Sequence, residues 1–140
     1  VSTTYQHKSI PLSKSDYILE GWKQEQLDEL PVSVFQPHGP LFFGSIESLI
    51  SAYSIAPKHE MLIIDMTHVT MIDLSGAYAL EDLISSSDSN GKRVIVSNAS
   101  LPIKKVLEKI DFIKSNVEGY YKETVELVTS SIIKYFDLEK

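Results

Sequence analysis

The sequence predicts an α/β fold in which helices pack on a mainly parallel β-sheet, and three observations support this prediction. Short apolar segments alternate along the chain with segments of helical periodicity, the pattern of successive strand–helix units. A strand is predicted over residues 60–66, in which 61–64 are continuously apolar, and residues 94–96 are apolar as well, as strands are when both faces of their sheet are covered. Between these segments, apolar residues recur at the spacing of one helical face at Ala77, Leu80, Leu83 and Ile84.

Residues 1–30 are polar and differ in composition from the rest of the chain. We predict a linker or extension there, with a short helix over residues 21–30, and the alternative is a strand or helix packed on the domain. Trp22 is expected to anchor this segment, because a lone Trp in a polar stretch usually packs against something. Residues 31–140 are predicted to form the domain, which is long enough to bury a core.

Two strands are predicted to open the domain. Residues 32–35 alternate with the strand period, and residues 41–43 form a second short strand. The Pro-His-Gly-Pro cluster at residues 37–40 predicts a turn between them, so this pair is expected to be antiparallel. A helix capped by Ser45 and ended by Pro57 is expected before the strand at 60–66.

The alternation of strands and helices continues after the strand at residues 94–96. Ser100 and Pro102 are expected to open a helix. An edge strand is expected near residues 113–117, and Thr124 is expected to cap a last helix. The inward face of that helix is predicted to carry Val125, Val128, Ile132 and Phe136.

Composition excludes several classes of function. The net charge of −6, with Lys and Arg scattered, argues against nucleic-acid binding. The chain has no cysteine and its four histidines lack metal-site spacing, so no metal and no other cofactor is expected. No apolar run approaches the roughly 20 residues that span a bilayer. Because the chain begins at Val1, we expect it to be a piece of a larger protein.

Residues 62–76 carry the most information about function. The predicted strand ends at Asp65, a polar connector follows, and residues 73–76 (Asp-Leu-Ser-Gly) lead into a helix predicted from Ser75 to about residue 87. A helix N-terminus suits a phosphate or an acidic group, because free N–H groups and the positive dipole end meet there. Ser75 is therefore either a phosphoacceptor or partner contact, or simply a cap beside Asp73. Asp65 is expected to accept N–H bonds and to organise the turn toward Asp73.

Other chemical sites lack the residues that they require. A receiver-type phosphoaspartate site would need a carboxylate after the first strand to hold Mg²⁺, and residues 37–39 supply none. The pair at residues 91–92 lacks the rest of a phosphate-binding loop, so nucleotide binding is not expected. The glycosylation triplet at residues 98–100 is interpreted as a chance match. No arrangement of catalytic residues is evident, and we expect no enzymatic activity.

The stretch LIIDMTHVTMIDLSGAYAL resembles the signature of STAS domains, which occur as anti-sigma-factor antagonists and as cytosolic domains of SulP sulfate/anion transporters. The resemblance extends over about residues 30–136 and is most specific at Asp65, Val69, Asp73 and residues 75–76. It implies a STAS-like fold with a mixed, mainly parallel sheet of four to five strands and about four helices. Residues 39–44 (GPLFFG) resemble the SulP branch, which favours a transporter domain over a free antagonist.

The resemblance implies a regulatory or protein-interaction domain at the cytoplasmic face of the membrane, following a membrane part upstream of Val1. Its partners would be the transporter's own membrane domain and a cytosolic protein, without nucleic acid. The alternative is a stand-alone anti-sigma-factor antagonist, in which the residue matching Ser75 is phosphorylated by a kinase. Tyr78 is larger than the aliphatic residue expected in the family. The expected partner surface comprises Asp65, Asp73, Leu74, Ser75, Gly76 and Tyr78.

Overall fold

A computed structural model describes residues 8–42, 60–89, 91–110 and 121–138 of the 140-residue chain. The predicted helix over residues 45–57 and the predicted edge strand near residues 113–117 lie outside the described residues. The strands are β1 (Lys8–Pro11), β2 (Val32–Gln36), β3 (Gly39–Leu41), β4 (Met61–Asp65), β5 (Val69–Ile72) and β6 (Arg93–Ser97). The helices are α1 (Gln24–Glu29), α2 (Leu74–Ser89), α3 (Leu101–Leu107) and α4 (Tyr121–Tyr135), with a 3₁₀ turn at Leu12–Lys14.

The main sheet has the strand order β1-β2-β4-β6 within the described ranges. Strands β2, β4 and β6 run parallel, with Val34 beside Ile63 and Ile63 beside Ile95. Strand β1 is antiparallel to β2 and lies at the edge of this sheet. The mainly parallel α/β fold predicted from the sequence is therefore confirmed.

The core has two layers, one on each face of the main sheet. Strand β4 shows the division, because Leu62 and Ile64 belong to one buried cluster and Met61 and Ile63 to the other. Successive residues of a strand point to opposite faces, so a strand covered on both sides is apolar throughout. The first cluster includes α2 and α3 residues Ala77, Leu80, Ile84, Ile103 and Leu107, and the second includes Leu12, Tyr17, Leu19, Leu27, Val128 and Ile132.

The N-terminal segment is packed on the domain over residues 8–30, the second of the two alternatives left open by the sequence. Strand β1 extends the sheet, and Tyr17, Leu19 and Leu27 are buried in the second cluster. Trp22 packs against the same cluster while half-buried, as expected. These apolar residues share no single period, because a strand, a turn and a short helix each contribute some of them.

The predicted antiparallel pair at the start of the domain is wrong. Strand β3 pairs parallel with β5 in a separate two-stranded sheet, so the polar connector predicted after Asp65 also contains a strand. Strand β3 follows β2 along the chain and β5 follows β4. The two stretches of chain that are paired through β2 and β4 are thus paired a second time through β3 and β5. Between the two pairings, Gly39 N–H donates to the His68 carbonyl over 2.9 Å, and the His38 and His68 rings stack with centroids 4.4 Å apart.

The helices largely follow the sequence predictions. Helix α3 begins after Ser100 with proline in its first turn, as expected. Thr124 is not the cap of the last helix, because α4 already includes Tyr121 and Thr124 is buried inside it. Within the described ranges, no helix combines the length and the apolar character that a membrane crossing requires. The predicted inner face of α4 is confirmed, with Val128 and Ile132 buried and Val125 and Phe136 half-buried.

Candidate partner-binding surface

Asp73 is the residue that caps helix α2. Its Oδ1 accepts the Gly76 N–H over 2.8 Å, and its carbonyl accepts the Ala77 N–H over 2.9 Å. The first bond satisfies an N–H group of the first turn that has no backbone acceptor within the helix, and the second is the first i→i−4 bond of the helix. Of the roles left open for Ser75, that of the helix cap is therefore wrong, because Asp73, two residues earlier, is the cap. Ser75 is the second residue of the helix and its side chain is exposed.

Gly76 allows α2 to lie directly on the end of β3. A Cβ at this position would lie 2.2 Å from the Leu41 carbonyl oxygen and 3.1 Å from Cγ1 of Ile72. The same Leu41 oxygen accepts the Asp73 N–H over 3.2 Å, so it fixes the entry into the helix. Gly76 is buried, so its predicted place on the partner surface is wrong. It lies beneath that surface and supports it.

The exposed part of this region comprises Leu74, Ser75 and Tyr78, which we name the α2 surface. Leu74 is 46% exposed and Tyr78 is 54% exposed. Met71, at the end of β5 just before this helix, is also 49% exposed. Single exposed apolar residues are ordinary, but several large ones at one strand–helix junction are typical of an interaction site.

The α2 surface continues into an acidic helix face. Asp82 lies one turn beyond Tyr78 and is exposed, and Glu81 is half-buried. The sequence of α2 contains no Lys or Arg. Asp73, half-buried at the helix start, adds a further carboxylate. The chemistry of this face is thus apolar at the helix start and acidic along the helix.

Asp65 is buried at the end of β4 and does not lie on the partner surface, because its side chain is only 2% exposed. Its Oδ1 accepts the Thr67 N–H over 3.1 Å and the Thr67 hydroxyl over 2.5 Å. Gln36 Nε2 donates to Oδ2 over 3.0 Å, and Asn98 Nδ2 donates to Oδ1 over 3.0 Å. The prediction that Asp65 organises the following turn is confirmed, and its placement on the partner surface is wrong. A buried carboxylate requires such donors.

Sequence analysis missed the rest of this buried polar network. The Tyr17 hydroxyl lies 2.5 Å from Ser97 Oγ and accepts a hydrogen bond from Asn98 Nδ2 over 2.8 Å. Asn98 is buried in a left-handed conformation with φ of 62°, which Asn tolerates better than most residues. The sequence did contain a signal for Ser97 and Asn98, because they lie at and just after the end of the strand beside Asp65, and parallel strands end at the same sheet edge. Tyr17 had no such signal.

Comparison with known proteins gives one family profile and one curated relative that bear on this chain. The STAS domain family profile matches residues 24–127. The bicarbonate transporter BicA of Synechocystis is 26% identical over 105 residues, which cover 74% of this chain. Those residues amount to 19% of BicA, so this chain corresponds to about a fifth of that transporter.

Solved structures share the fold. A sulfate transporter family protein from Wolinella succinogenes has a TM-score of 0.61 at 22% identity, covering 75% of this chain and 89% of that one. The SulP transporter STAS domain of Vibrio cholerae has a TM-score of 0.55 at 27% identity, covering 74% and 84%. The anti-sigma-factor antagonist SpoIIAA has a TM-score of 0.59 at 16% identity, covering 78% and 91%, and this likeness concerns the fold alone.

Proposed function

Because this chain belongs to the STAS domain family, we propose that it is the cytoplasmic STAS domain of a SulP-type anion transporter and acts by protein contact without catalysis. The observation that carries this proposal is that Leu74, Ser75 and Tyr78 are exposed at the start of α2, while Gly76 beneath them is buried. The partial coverage of BicA and the likeness to the Vibrio SulP domain support attachment to a membrane part. The transported anion is then handled by that membrane part.

The partner of the α2 surface is the membrane domain of the same protein. Cytoplasmic loops of membrane proteins are enriched in Lys and Arg, so they present positive charge next to apolar helix ends. The acidic face of α2, with Asp82 exposed beyond Tyr78, is complementary to such loops. Charge complementarity of this kind selects the partner and its orientation more than it sets affinity.

Regulation follows from differences in contact between transport states. The Asp73 cap and the close approach of Gly76 to Leu41 hold the α2 surface in one geometry. A rigid surface that fits one state of the membrane domain better than another shifts the equilibrium between the states by that difference in binding free energy. A cytosolic protein that covers the same surface would compete with this contact and alter transport.

The test uses the full-length protein in membrane vesicles with labelled sulfate and bicarbonate. We expect Leu74→Asp and Tyr78→Asp to change the uptake rate severalfold at an unchanged protein level in the membrane, because each removes an apolar contact and adds repulsion. Leu127→Asp is the matched control. Leu127 is 45% exposed on α4, which packs on the opposite face of the sheet.

Equal effects of all three substitutions, or no effect of any, would contradict docking through the α2 surface. A full-length protein without membrane-spanning segments would contradict the transporter assignment itself. These two outcomes are separable, because the second is decided by the reading frame alone.

A second candidate function is that of a stand-alone anti-sigma-factor antagonist, favoured by the exposure of Ser75 at the start of α2. A phosphate on Ser75 would lie at the positive end of the helix dipole and near the Asp73 carboxylate, so gain and repulsion oppose each other. Incubation with the cognate kinase and mass spectrometry tests this function. The mass of one added phosphate on Ser75 supports it, and an unmodified Ser75 contradicts it.

A further inference from the structure

The N-terminal segment of residues 8–22, which we name the strap, crosses one face of the main sheet. It starts at one edge, where Pro11 lies beside Ser33 of β2, and Tyr17 reaches Ser97 at the carboxyl end of β6, two strands beyond β2. We propose that the strap is a switch. While it is docked, the Tyr17 hydroxyl group holds the turn after β4 in place, and its release loosens this turn and shifts the α2 surface.

A single amide group connects the strap to the turn. Asn98 Nδ2 donates to the Tyr17 hydroxyl over 2.8 Å and to Asp65 Oδ1 over 3.0 Å, so each of its two N–H bonds has one acceptor. The Tyr17 hydroxyl also lies 2.5 Å from Ser97 Oγ. The amide is thus held between the strap and the turn, and removal of the Tyr17 hydroxyl takes away its acceptor on the strap side.

The turn that this amide contacts leads directly to the α2 surface. Asp65 Oδ1 also accepts the Thr67 N–H over 3.1 Å, and the Met66 N–H donates to the Ser97 carbonyl over 2.8 Å. Strand β5 begins directly after this turn and α2 follows β5. Contiguous hydrogen-bonded groups of this kind carry coupling between two sites when they have two arrangements. Ser97 and Asn98 contact both the strap and the turn, so they supply such a path.

Asn98 is suited to change its arrangement. It is only 7% exposed and has a φ of 62°, a left-handed conformation that costs free energy in residues with a Cβ. Its Oδ1 is buried and accepts no hydrogen bond from the part of the chain that the structure describes. A buried acceptor without a donor also costs free energy. The docked arrangement is therefore less favoured over the released one than a fully satisfied network would be.

The regulatory use of this link rests on the proposed function, in which a membrane part precedes this chain. The strap is then the segment through which the domain joins that part. A movement of the membrane part between transport states pulls on the strap, weakens the Tyr17 contact and shifts the α2 surface, which changes the balance between the states. The link itself is a property of this chain and is tested without the membrane part.

The first test measures hydrogen exchange of the Thr67 amide by NMR in the 140-residue chain. Tyr17→Phe should raise the exchange rate roughly tenfold, because the amide that holds Asp65 Oδ1 loses its hydrogen bond to the strap. Tyr135→Phe, the same chemical change at an exposed residue of α4, should leave the rate unchanged.

A second control separates the link from overall stability. Ile84→Val removes one methylene group from a fully buried side chain of α2, so it destabilises the whole domain without touching the network. It should leave the exchange rate of the Thr67 amide unchanged. Equal acceleration in Ile84→Val and Tyr17→Phe, or an unchanged rate in Tyr17→Phe, would overturn the proposed link.

Coupling between two sites acts in both directions, so the reciprocal test changes the turn and observes the strap. Trp22 is the chain's sole tryptophan and packs half-buried on the second cluster, so quenching of its fluorescence by acrylamide reports docking of the strap. Asp65→Asn should increase the quenching constant, and Ser97→Ala should act in the same direction because it removes another partner of the Tyr17 hydroxyl. Glu108→Gln, the matched change at an exposed position, should have no effect, and an unchanged constant in Asp65→Asn would contradict the link.

Uptake by the full-length protein in vesicles separates this proposal from the proposed function. We expect Tyr17→Phe to change the uptake rate and Tyr135→Phe to leave it unchanged. If Leu74→Asp alters uptake and Tyr17→Phe does not, the α2 surface docks but the strap does not regulate it. If neither alters uptake, the proposed function fails and the regulatory use of the strap fails with it, whereas the exchange rates still decide the link.

Discussion

Substitution of Gly76 by alanine tests the packing on which the candidate surface depends. The new Cβ would lie 2.2 Å from the Leu41 carbonyl oxygen, whereas ordinary contact begins at 3.4 Å, so the helix or β3 must move by about 1.2 Å. The obstructing atom belongs to the backbone, and no change of side-chain rotamer relieves the clash. Overpacking of this kind costs about 1–3 kcal/mol. The helix preference of alanine over glycine returns at most about 1 kcal/mol.

The expected net effect of Gly76→Ala is a destabilisation of about 1–2 kcal/mol, or a Tm lower by roughly 3–7 °C for a chain of this size. The free energy of unfolding in urea, followed by circular dichroism, measures it directly. Ser75→Ala is the matched control, because it changes the neighbouring residue of the same helix to the same side chain. Since Asp73 is the cap, Ser75→Ala should change stability by less than about 0.5 kcal/mol.

Two results would refute this explanation. A Gly76→Ala protein as stable as the wild type would mean that α2 does not lie against the Leu41 carbonyl. A loss of about 1 kcal/mol in Ser75→Ala would mean that Ser75, and not Asp73, caps the helix.

The remaining predictions concern the cap and the buried network. Asp73→Ala should destabilise the chain by about 1 kcal/mol and Asp73→Ser by much less, because serine retains a capping oxygen; equal losses in urea unfolding would contradict the cap. Tyr17→Phe should cost about 1–2 kcal/mol, because it removes the partner of a buried Asn98 donor, whereas Tyr78→Phe at an exposed site should cost nothing measurable. Asp65→Asn should cost about 1–3 kcal/mol, because both carboxylate oxygens accept hydrogen bonds and the new NH₂ group, itself a donor, would face a donor instead. Unchanged thermal unfolding would contradict this account.

The parts of the fold predicted correctly are those with a local sequence signal. Residues 61–64 are continuously apolar, and α2 places Ala77, Leu80 and Ile84 at helical spacing. These patterns reflect burial on both faces of a strand and on one face of a helix, so they need no knowledge of distant partners.

Strands β3 and β5 could not be predicted in this way. Strand β3 has three residues, one of them Pro40, and its pairing partner lies about thirty residues further along the chain. The turn-forming residues before β3 predicted a hairpin, but the long-range parallel pairing with β5 determines the direction of the chain instead.

The candidate site was predicted in outline and not in detail. The sequence indicated that Asp65 and Asp73 flank a turn before a helix, but the identity of the cap depends on whether the helix begins at Leu74 or two residues later. The contact of Tyr17 with Ser97 spans 80 positions, and no spacing within residues 1–30 indicates it. Burial of Asp65 follows from this contact network and was therefore also missed.

The position of β1 has a consequence for where a shorter fragment of this chain can begin. Strand β1 covers the outer hydrogen-bonding edge of β2 along Ser33 to Gln36. The change in composition near residue 31 suggests a boundary there. A fragment that starts at this point would lack β1 and leave the edge of β2 unpaired, and it would expose the apolar surface that Leu12 and Leu19 cover. Bare strand edges recruit other chains, so such a fragment would self-associate although every residue of its parallel strands is present.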